Sequence, residues 1–240
     1  VRRLAGAALL CVLLLGGCAA APPPGGDEAD GVEDIYDPLE TTNRHTQAGF
    51  LWMDDHVMHP IADAYQAALP DRVRVSIRNF LETMGLPAVV LNHLLQGNPS
   101  RSWTEFQRLA VNAVAGVGGL FDVATDWGLP YQPADFGQTF GVWGAGDGPY
   151  LFLPLFGPSN PRDFAGLALG IASNPAVLLD GWQAAGALSG EMAVGAVDGR
   201  THRAEVLDRM RRRSLDFYVT LRAAYYQNRR YRVAQGRAGD

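Results

Sequence analysis

The residues most suggestive of chemistry stand together in Asp54-Asp55-His56-Val57-Met58-His59. Imidazole and carboxylate are common metal donors, and histidines three positions apart share a helix face. The H-E-x-x-H template lacks its Glu here, no third ligand presents itself, and Pro60 follows directly. The stretch reads as a solvated helix end, with no metal. Adjacent Asp54 and Asp55 do not face each other on a helix, so they make a poor acid/base pair. Nucleophile signatures are no stronger. The nearest approach to Gly-x-Ser-x-Gly is Gly157-Pro158-Ser159-Asn160-Pro161, with Pro in a Gly position. Ser159 reads instead as the N-cap of a helix starting near Pro161. A Ser-His-Asp set drawn from distant residues stays open, although nothing points to one. All 20 Lys+Arg residues are arginine. Neither a Walker A lysine nor a Schiff-base lysine is therefore available, and no cofactor is implied.

Two further sets suggest binding rather than catalysis. Gly141-Val142-Trp143-Gly144-Ala145-Gly146-Asp147-Gly148 is followed by Pro149 and an apolar, Pro-containing stretch. A dinucleotide fingerprint would instead follow a strand and open a helix. The segment reads as a mobile hairpin or hinge, with Gly141, Gly144, Gly146 and Gly148 as gate candidates, or equally as a structural turn set. The second set is Arg209, Arg211, Arg212 and Arg213, followed by Arg229, Arg230 and Arg232, interleaved with Tyr218, Tyr225, Tyr226 and Tyr231. Anionic head groups or an acidic partner suit it, and a solvated helix face suits it as well.

The chain opens like an exported protein. Val1 reads as an alternative start, Arg2 and Arg3 as a charged n-region, and Leu4 to Leu15 as a short apolar h-region. Leu15-Gly16-Gly17-Cys18 then forms a lipobox, which makes residues 1–17 a lipoprotein signal peptide and Cys18 the acylated N-terminus. As a helix, Leu4 to Gly17 would span roughly 21 Å, short of the ~30 Å hydrocarbon core. Ala19 follows the Cys, where an Asp would favour the inner membrane. The expected location is the periplasmic leaflet of the outer membrane, lipid-anchored. With Cys11 removed and Cys18 lipidated, no thiol remains for a disulfide, a nucleophile or a zinc site.

Length and charge frame the rest. The 240 residues allow one or two domains, and 48% hydrophobic content suffices for a core. The formal charge of −5 argues against nucleic acid. It averages over unequal parts: residues 18–199 carry 7 Arg and 21 acids, and residues 200–240 carry 11 Arg and 4 acids. Residues 18–36, with Pro-Pro-Pro-Gly-Gly and five acids, read as a flexible tether. Residues 37–228 read as a single helical domain, and residues 229–240 as a basic C-terminal tail.

The elements that position these residues are mostly helical. Asp71 is a candidate cap for a helix with Val73, Ile77, Phe80, Leu81 and Met84 on one face. Ser100 is a candidate cap for another. There the pattern places Trp103, Phe106, Ala110 and Ala113 inward, and Arg101, Glu105, Arg108 and Asn112 outward. Val206, Met210, Phe217, Leu221 and Tyr225 recur at spacings of four or seven near the C-terminus. Tyr150–Phe156 is the best extended candidate, and Pro154 keeps it from being a central strand. Met84–Pro99, Val111–Phe121 and Phe164–Leu179 are uncharged apart from His93, and none reaches the ~20 residues of a spanning helix. They read as buried core helices or as helices lying in one leaflet.

Several long motifs occur in one order. They are Tyr36-Asp37-Pro38-Leu39-Glu40 with Asn43-Arg44, Asn79-Phe80-Leu81, Asn92 to Gly97, Arg108 to Ala124, and Asp135 to Asp163 (DFGQTFGVWGAGDGPYLFLPLFGPSNPRD). Through them the chain resembles the MlaA (VacJ) family of outer-membrane lipoproteins over nearly its whole mature length. The resemblance implies a mainly α, ring-like, membrane-embedded lipoprotein with a short Gly-rich hairpin and an amphipathic channel. It implies removal of mislocalised phospholipid from the outer leaflet, transfer to an MlaC-type periplasmic carrier, association with trimeric porins, and no covalent chemistry. Asp37, Pro38, Leu39, Glu40, Asn43 and Arg44 are the family motif. The family usually has an aromatic before that Asn, and Thr42 stands there in this chain. The Arg-rich C-terminus is also less typical. A periplasmic lipid hydrolase and a porin-scaffolding lipoprotein are the competing functions.

Overall fold

Capping side chains and sharp breaks set where the helices of this chain start and stop. The structure is a computed structural model and describes residues 35–239. The signal segment, Cys18 and most of the tether lie outside the described residues. The elements are α1 (Glu40–Met53), a π-helical turn (Asp54–Met58), α2 (His59–Ala68), α3 (Asp71–Leu95), α4 (Pro99–Val114) and the single turn α5 (Val123–Asp126). There follow α6 (Phe136–Val142), strands β1 (Leu151–Leu153) and β2 (Gly157–Ser159), α7 (Pro161–Ala172), a 3-10 turn (Pro175–Leu178), α8 (Gly181–Arg213) and α9 (Phe217–Ala238). The fold is mainly α, as the sequence pattern expects, and no helix of the described residues is long and apolar enough to cross a membrane.

Side chains at N-caps satisfy orphan amides at several helix starts. Asp135 accepts from the Gln138 amide at 2.8 Å, Asn160 from Asp163 at 2.8 Å, and Asp216 from Tyr218 at 2.9 Å. Asn160 therefore caps α7, and Ser159 belongs to β2 instead. Asp71 is already inside α3, ion-paired with Arg74, and Pro70 precedes the helix. Likewise α4 starts at Pro99, one residue before Ser100, because a proline at the first helical position sacrifices no hydrogen bond. Between α3 and α4 the chain turns on a Schellman pair: the Asn98 amide donates to His93 and the Gly97 amide to Leu94.

The hairpin is short and lies later than expected. Leu151 pairs with Ser159, Phe152 with Pro158 and Leu153 with Gly157. The glycine-rich stretch is the end of α6 and the loop after it, not the hairpin. Residues 229–240 also differ from the tail reading, because α9 continues to Ala238.

The burial pattern of α4 is inverted. Ser102, Glu105, Arg108 and Asn112 are buried, while Trp103 is 60% and Phe106 47% exposed. Ala110 and Ala113 are exposed too. On α3 the pattern is mixed: Leu86 and Val89 are buried beside Thr83, Asn92 and His93, while Val73, Phe80, Leu91, Leu94 and Leu95 are exposed. On α4 the stripe is the expected one and its direction is reversed. A buried charge is tolerated only when paired and hydrogen-bonded, and these residues are. Arg108 donates to Thr125 Oγ1 at 2.9 Å and to Asp122 at 3.0 Å, and it also reaches the Leu129 carbonyl. Asn112 donates to Asp122 at 3.0 Å and accepts from the Ala124 amide at 2.9 Å. Glu105 accepts from the Gln132 amide at 2.6 Å.

Candidate functional site

The family-motif residues form a clamp. Asn43, one turn into α1, acts on β1 as a neighbouring strand would. Its amide donates to the Tyr150 carbonyl at 3.0 Å and accepts from the Phe152 amide at 2.9 Å. The same side chain donates to Asp37 at 2.9 Å. Asp37 in turn receives Arg222 at 2.6 Å and the Tyr218 hydroxyl, both from α9. Arg44 bridges Glu40 and Asp216 at 2.8 Å each, with its guanidinium 4.4 Å from the Tyr218 ring centroid. Pro38 and Leu39 lead into the helix and are exposed, as is Thr42 beside the buried Asn43. The motif ties α1, β1 and α9 together and presents no reactive group.

A second cluster sits where α6, α7 and α9 meet. A Cβ on Gly166 would stand 2.2 Å from the Gly137 nitrogen, so α6 and α7 cross at a distance only glycine allows. The close crossing brings Asp135 and Asp163 within reach of one cation. Arg229 binds Asp135 through both oxygens, at 2.7 and 2.9 Å, and Asp163 at 2.7 Å. Burial alone would push the Asp135 carboxyl up, but the Arg229 guanidinium outweighs it and holds the group below the usual carboxylate range. Tyr225 donates to Asp163, and burial beside that carboxylate drives its hydroxyl pKa up. Arg162 contacts Asp163 at 3.0 Å and also pairs with Asp147 of the glycine loop.

The four gate candidates separate. Gly141 is inside α6, where a Cβ would meet Val233 at 2.7 Å, and its carbonyl accepts from Arg237 at 2.7 Å. It is a packing position, not part of a loop. Gly144 ends α6 at φ +96°, with its amide on Gly141 and the Ala145 amide on Phe140. That is a Schellman stop requiring left-handed backbone. Gly146 has open space around it. Gly148, at φ +71°, turns the chain toward β1. Between this loop and α9 lies an open cleft of about 580 Å³, lined among others by Gly146, Asp147, Arg162, Arg230, Val233 and Arg237.

The remaining candidates are partly consumed by ion pairs. The π-helical turn gives Asp54 to Arg200 at 2.7 Å and Asp55 to Arg211 at 2.7 Å, fixing it to α8. His56 stacks on Trp52, and His59 lies 3.6 Å from Asp63. Among the described residues no group of three or more His, Cys, Asp or Glu is placed to hold a metal ion. Arg209 pairs with Glu205 one turn away. Arg212 and Arg213 are exposed at the end of α8. Sequence reasoning missed Arg162, Asp147 and the Asp135–Asp163–Arg229 set as interacting groups. The signal was an Arg directly after a capped Pro in an otherwise apolar run.

Comparison with known proteins agrees with this architecture. A family described as MlaA lipoprotein matches residues 35–232. The Escherichia coli (strain K12) protein named intermembrane phospholipid transport system lipoprotein MlaA is 34% identical over 209 residues, covering 83% of this chain and 79% of that protein. The Haemophilus influenzae protein of the same name is 29% identical over 215 residues, covering 86% and 82%. A structure solved in work on the maintenance of bacterial outer membrane lipid asymmetry superposes with a TM-score of 0.72 at 31% identity. It covers 82% of this chain and 98% of its own. The chain belongs to the MlaA lipoprotein family.

Proposed function

We propose that this protein removes mislocalised phospholipid from the outer leaflet of the outer membrane and passes it to an MlaC-type periplasmic lipid carrier. It does so from the periplasmic leaflet, anchored through lipid on Cys18, beside trimeric porins. The single observation carrying this reading is the inversion of α4. A helix that exposes Trp103, Phe106 and Val114 while burying Glu105 and Arg108 suits an apolar surrounding outside and a polar lining inside. The named relatives are phospholipid transport lipoproteins, which supports the substrate class. Transport of this kind makes and breaks no bonds, and the family motif is spent on holding helices together. Arg212 and Arg213 are the members of the basic set best placed to touch head groups or the carrier, since Arg209 and Arg211 already face carboxylates.

The test is deletion followed by complementation. Cells lacking the protein should accumulate phospholipid at the surface and leak to detergent, and the intact gene should restore the barrier. Normal outer-leaflet asymmetry in the deletion strain would sink the proposal. Release of fatty acid from labelled phospholipid by the purified protein would instead favour a hydrolase.

A further inference from the structure

The cleft between the glycine loop and α9 has an unbalanced wall. Arg162, Arg230 and Arg237 line it, with Asp147 the one carboxylate among its lining residues. Arg237 spends a hydrogen bond on the neutral Gly141 carbonyl. Arg162 is the more telling residue. Its side chain is 6% exposed, one nitrogen pairs with Asp147 and Nε with Asp163, and Nη2 has no acceptor. A buried charged donor left without an acceptor is costly, and a guanidinium fork matches the spaced oxygens of a phosphate. Asp147 rides on the loop between Gly144 at φ +96° and Gly148 at φ +71°. Val233, Ala234 and Ala238 of α9 add an apolar strip alongside Arg230 and Arg237. The cleft volume falls in the range of small-molecule sites, roughly 300–1,000 Å³.

We propose that this cleft binds a phosphate-bearing anion, and that the phosphate takes the place of the Asp147 carboxylate on Arg162. In the present state the loop supplies its own anion and closes over the arginine. Ligand phosphate releases Asp147 and leaves the loop free to swing away, so occupancy and loop position are linked. The inference deepens the transport reading above, because a phospholipid head group carries this chemistry. A free phosphate ester carries it too.

The experiment is isothermal titration of the full protein in detergent micelles with inorganic phosphate, glycerol 3-phosphate and dihexanoyl phosphatidylglycerol. Asp147→Asn removes the competing carboxylate and should tighten phosphate about tenfold, while Arg237→Gln should weaken it about tenfold. Asp147 is on a surface loop, so its variant keeps the test valid even if Arg237→Gln disturbs α9. Tighter binding of the short-chain lipid than of glycerol 3-phosphate assigns the site to head groups, and equal binding assigns it to soluble phosphate. No phosphate binding, or binding indifferent to Asp147→Asn, overturns the site. Native mass spectrometry of the same preparation reads the transport function separately, through co-purified phospholipid. Lipid-loaded protein with phosphate binding indifferent to Asp147→Asn would remove the site and leave transport standing.

Discussion

Helices α4 and α9 each carry an apolar and a polar face, and they are inserted in opposite senses. On α9, Tyr218, Tyr226 and Val233 are buried, while Gln227, Asn228, Arg230 and Gln235 are exposed. On α4 the buried set is Ser102, Glu105, Arg108 and Asn112, and the exposed set includes Trp103, Phe106 and Val114. The periodicity of a helix locates the stripe. What lies outside decides which side turns in. The hydrophobic effect buries the α9 stripe because water is the alternative. The α4 stripe has no such drive if its surroundings are hydrocarbon, and there the polar residues must find partners inside. Arg108, Asp122 and Asn112 have done so.

The comparison breaks most visibly at Arg229. Arg229→Ala leaves the half-exposed Asp135 and the buried Asp163 without their shared cation, and removing one partner of a buried pair such as Arg229–Asp163 costs about 3–5 kcal/mol. Chemical denaturation in detergent should show that loss. Phe106→Ser on α4 should shift stability by only about 0.5 kcal/mol, as surface changes do. A loss at Phe106 as large as that at Arg229 would mean that the α4 stripe faces a core after all.

The outward stripe can also be read by partitioning. Each large apolar side chain leaving water contributes roughly 1.5–3 kcal/mol. The pair Trp103→Ser with Phe106→Ser should therefore weaken binding to phospholipid vesicles by more than about tenfold. Gln227→Ser on α9 should leave it unchanged. Equal effects at the two helices would erase the distinction.

How much of this was legible in the residues depends on the same asymmetry. The helical class, the stripes on α3 and α4, the extended Leu151–Leu153 and the absence of a spanning helix among the described residues all follow from local pattern. The direction of the stripe does not, because Trp103 and Phe106 spell the same period in water and in lipid. Pairings between distant residues were equally hidden. Nothing local links Arg229 to Asp135, or Asn43 to the backbone of Tyr150 and Phe152. The partners of Arg229 come together only where Gly137 and Gly166 let α6 and α7 touch. The family motif was visible as residues but not as a clamp. The glycine segment was visible as a break, but the division of labour among Gly141, Gly144 and Gly146 needed backbone angles.

Acid and base should divide the two helices as well. Burial pushes the Glu105 carboxyl from its ordinary 4.5 up to about 7, against the Gln132 amide and Arg108, which pull it down. The folded state thus holds this proton more tightly than the unfolded chain does. That contribution is complete below pH 4.5 and is lost as pH rises through about 7. Stability should fall on the order of 2 kcal/mol across that window, and Glu105→Gln should flatten the slope. Asp135, which Arg229 of α9 holds, behaves oppositely. Its pKa is lowered, so its contribution is present above the ordinary 3.8 and is lost as pH falls. A denaturation series in which Glu105→Gln keeps the wild-type slope would show that the buried α4 carboxyl is not the titrating group.

The smallest effect lies in the loop that follows α6, a helix tied at its end to α3 and α9. Trp143 donates to the Leu95 carbonyl at the end of α3, and Arg237 of α9 donates to Gly141. Gly144→Val forces a branched residue into left-handed backbone and should cost roughly 1–2 kcal/mol through α6 alone. Gly146 carries no such demand and has no atom near its missing Cβ. Gly146→Val should therefore leave the melting temperature within about a degree of wild type. If the loop swings during transfer, the added branch restricts its backbone and lipid delivery slows although the fold is untouched. Transport at the wild-type rate in a stable Gly146→Val protein would reduce the loop to a turn and leave Gly144 and Gly148, both at positive φ, as the glycines its backbone needs.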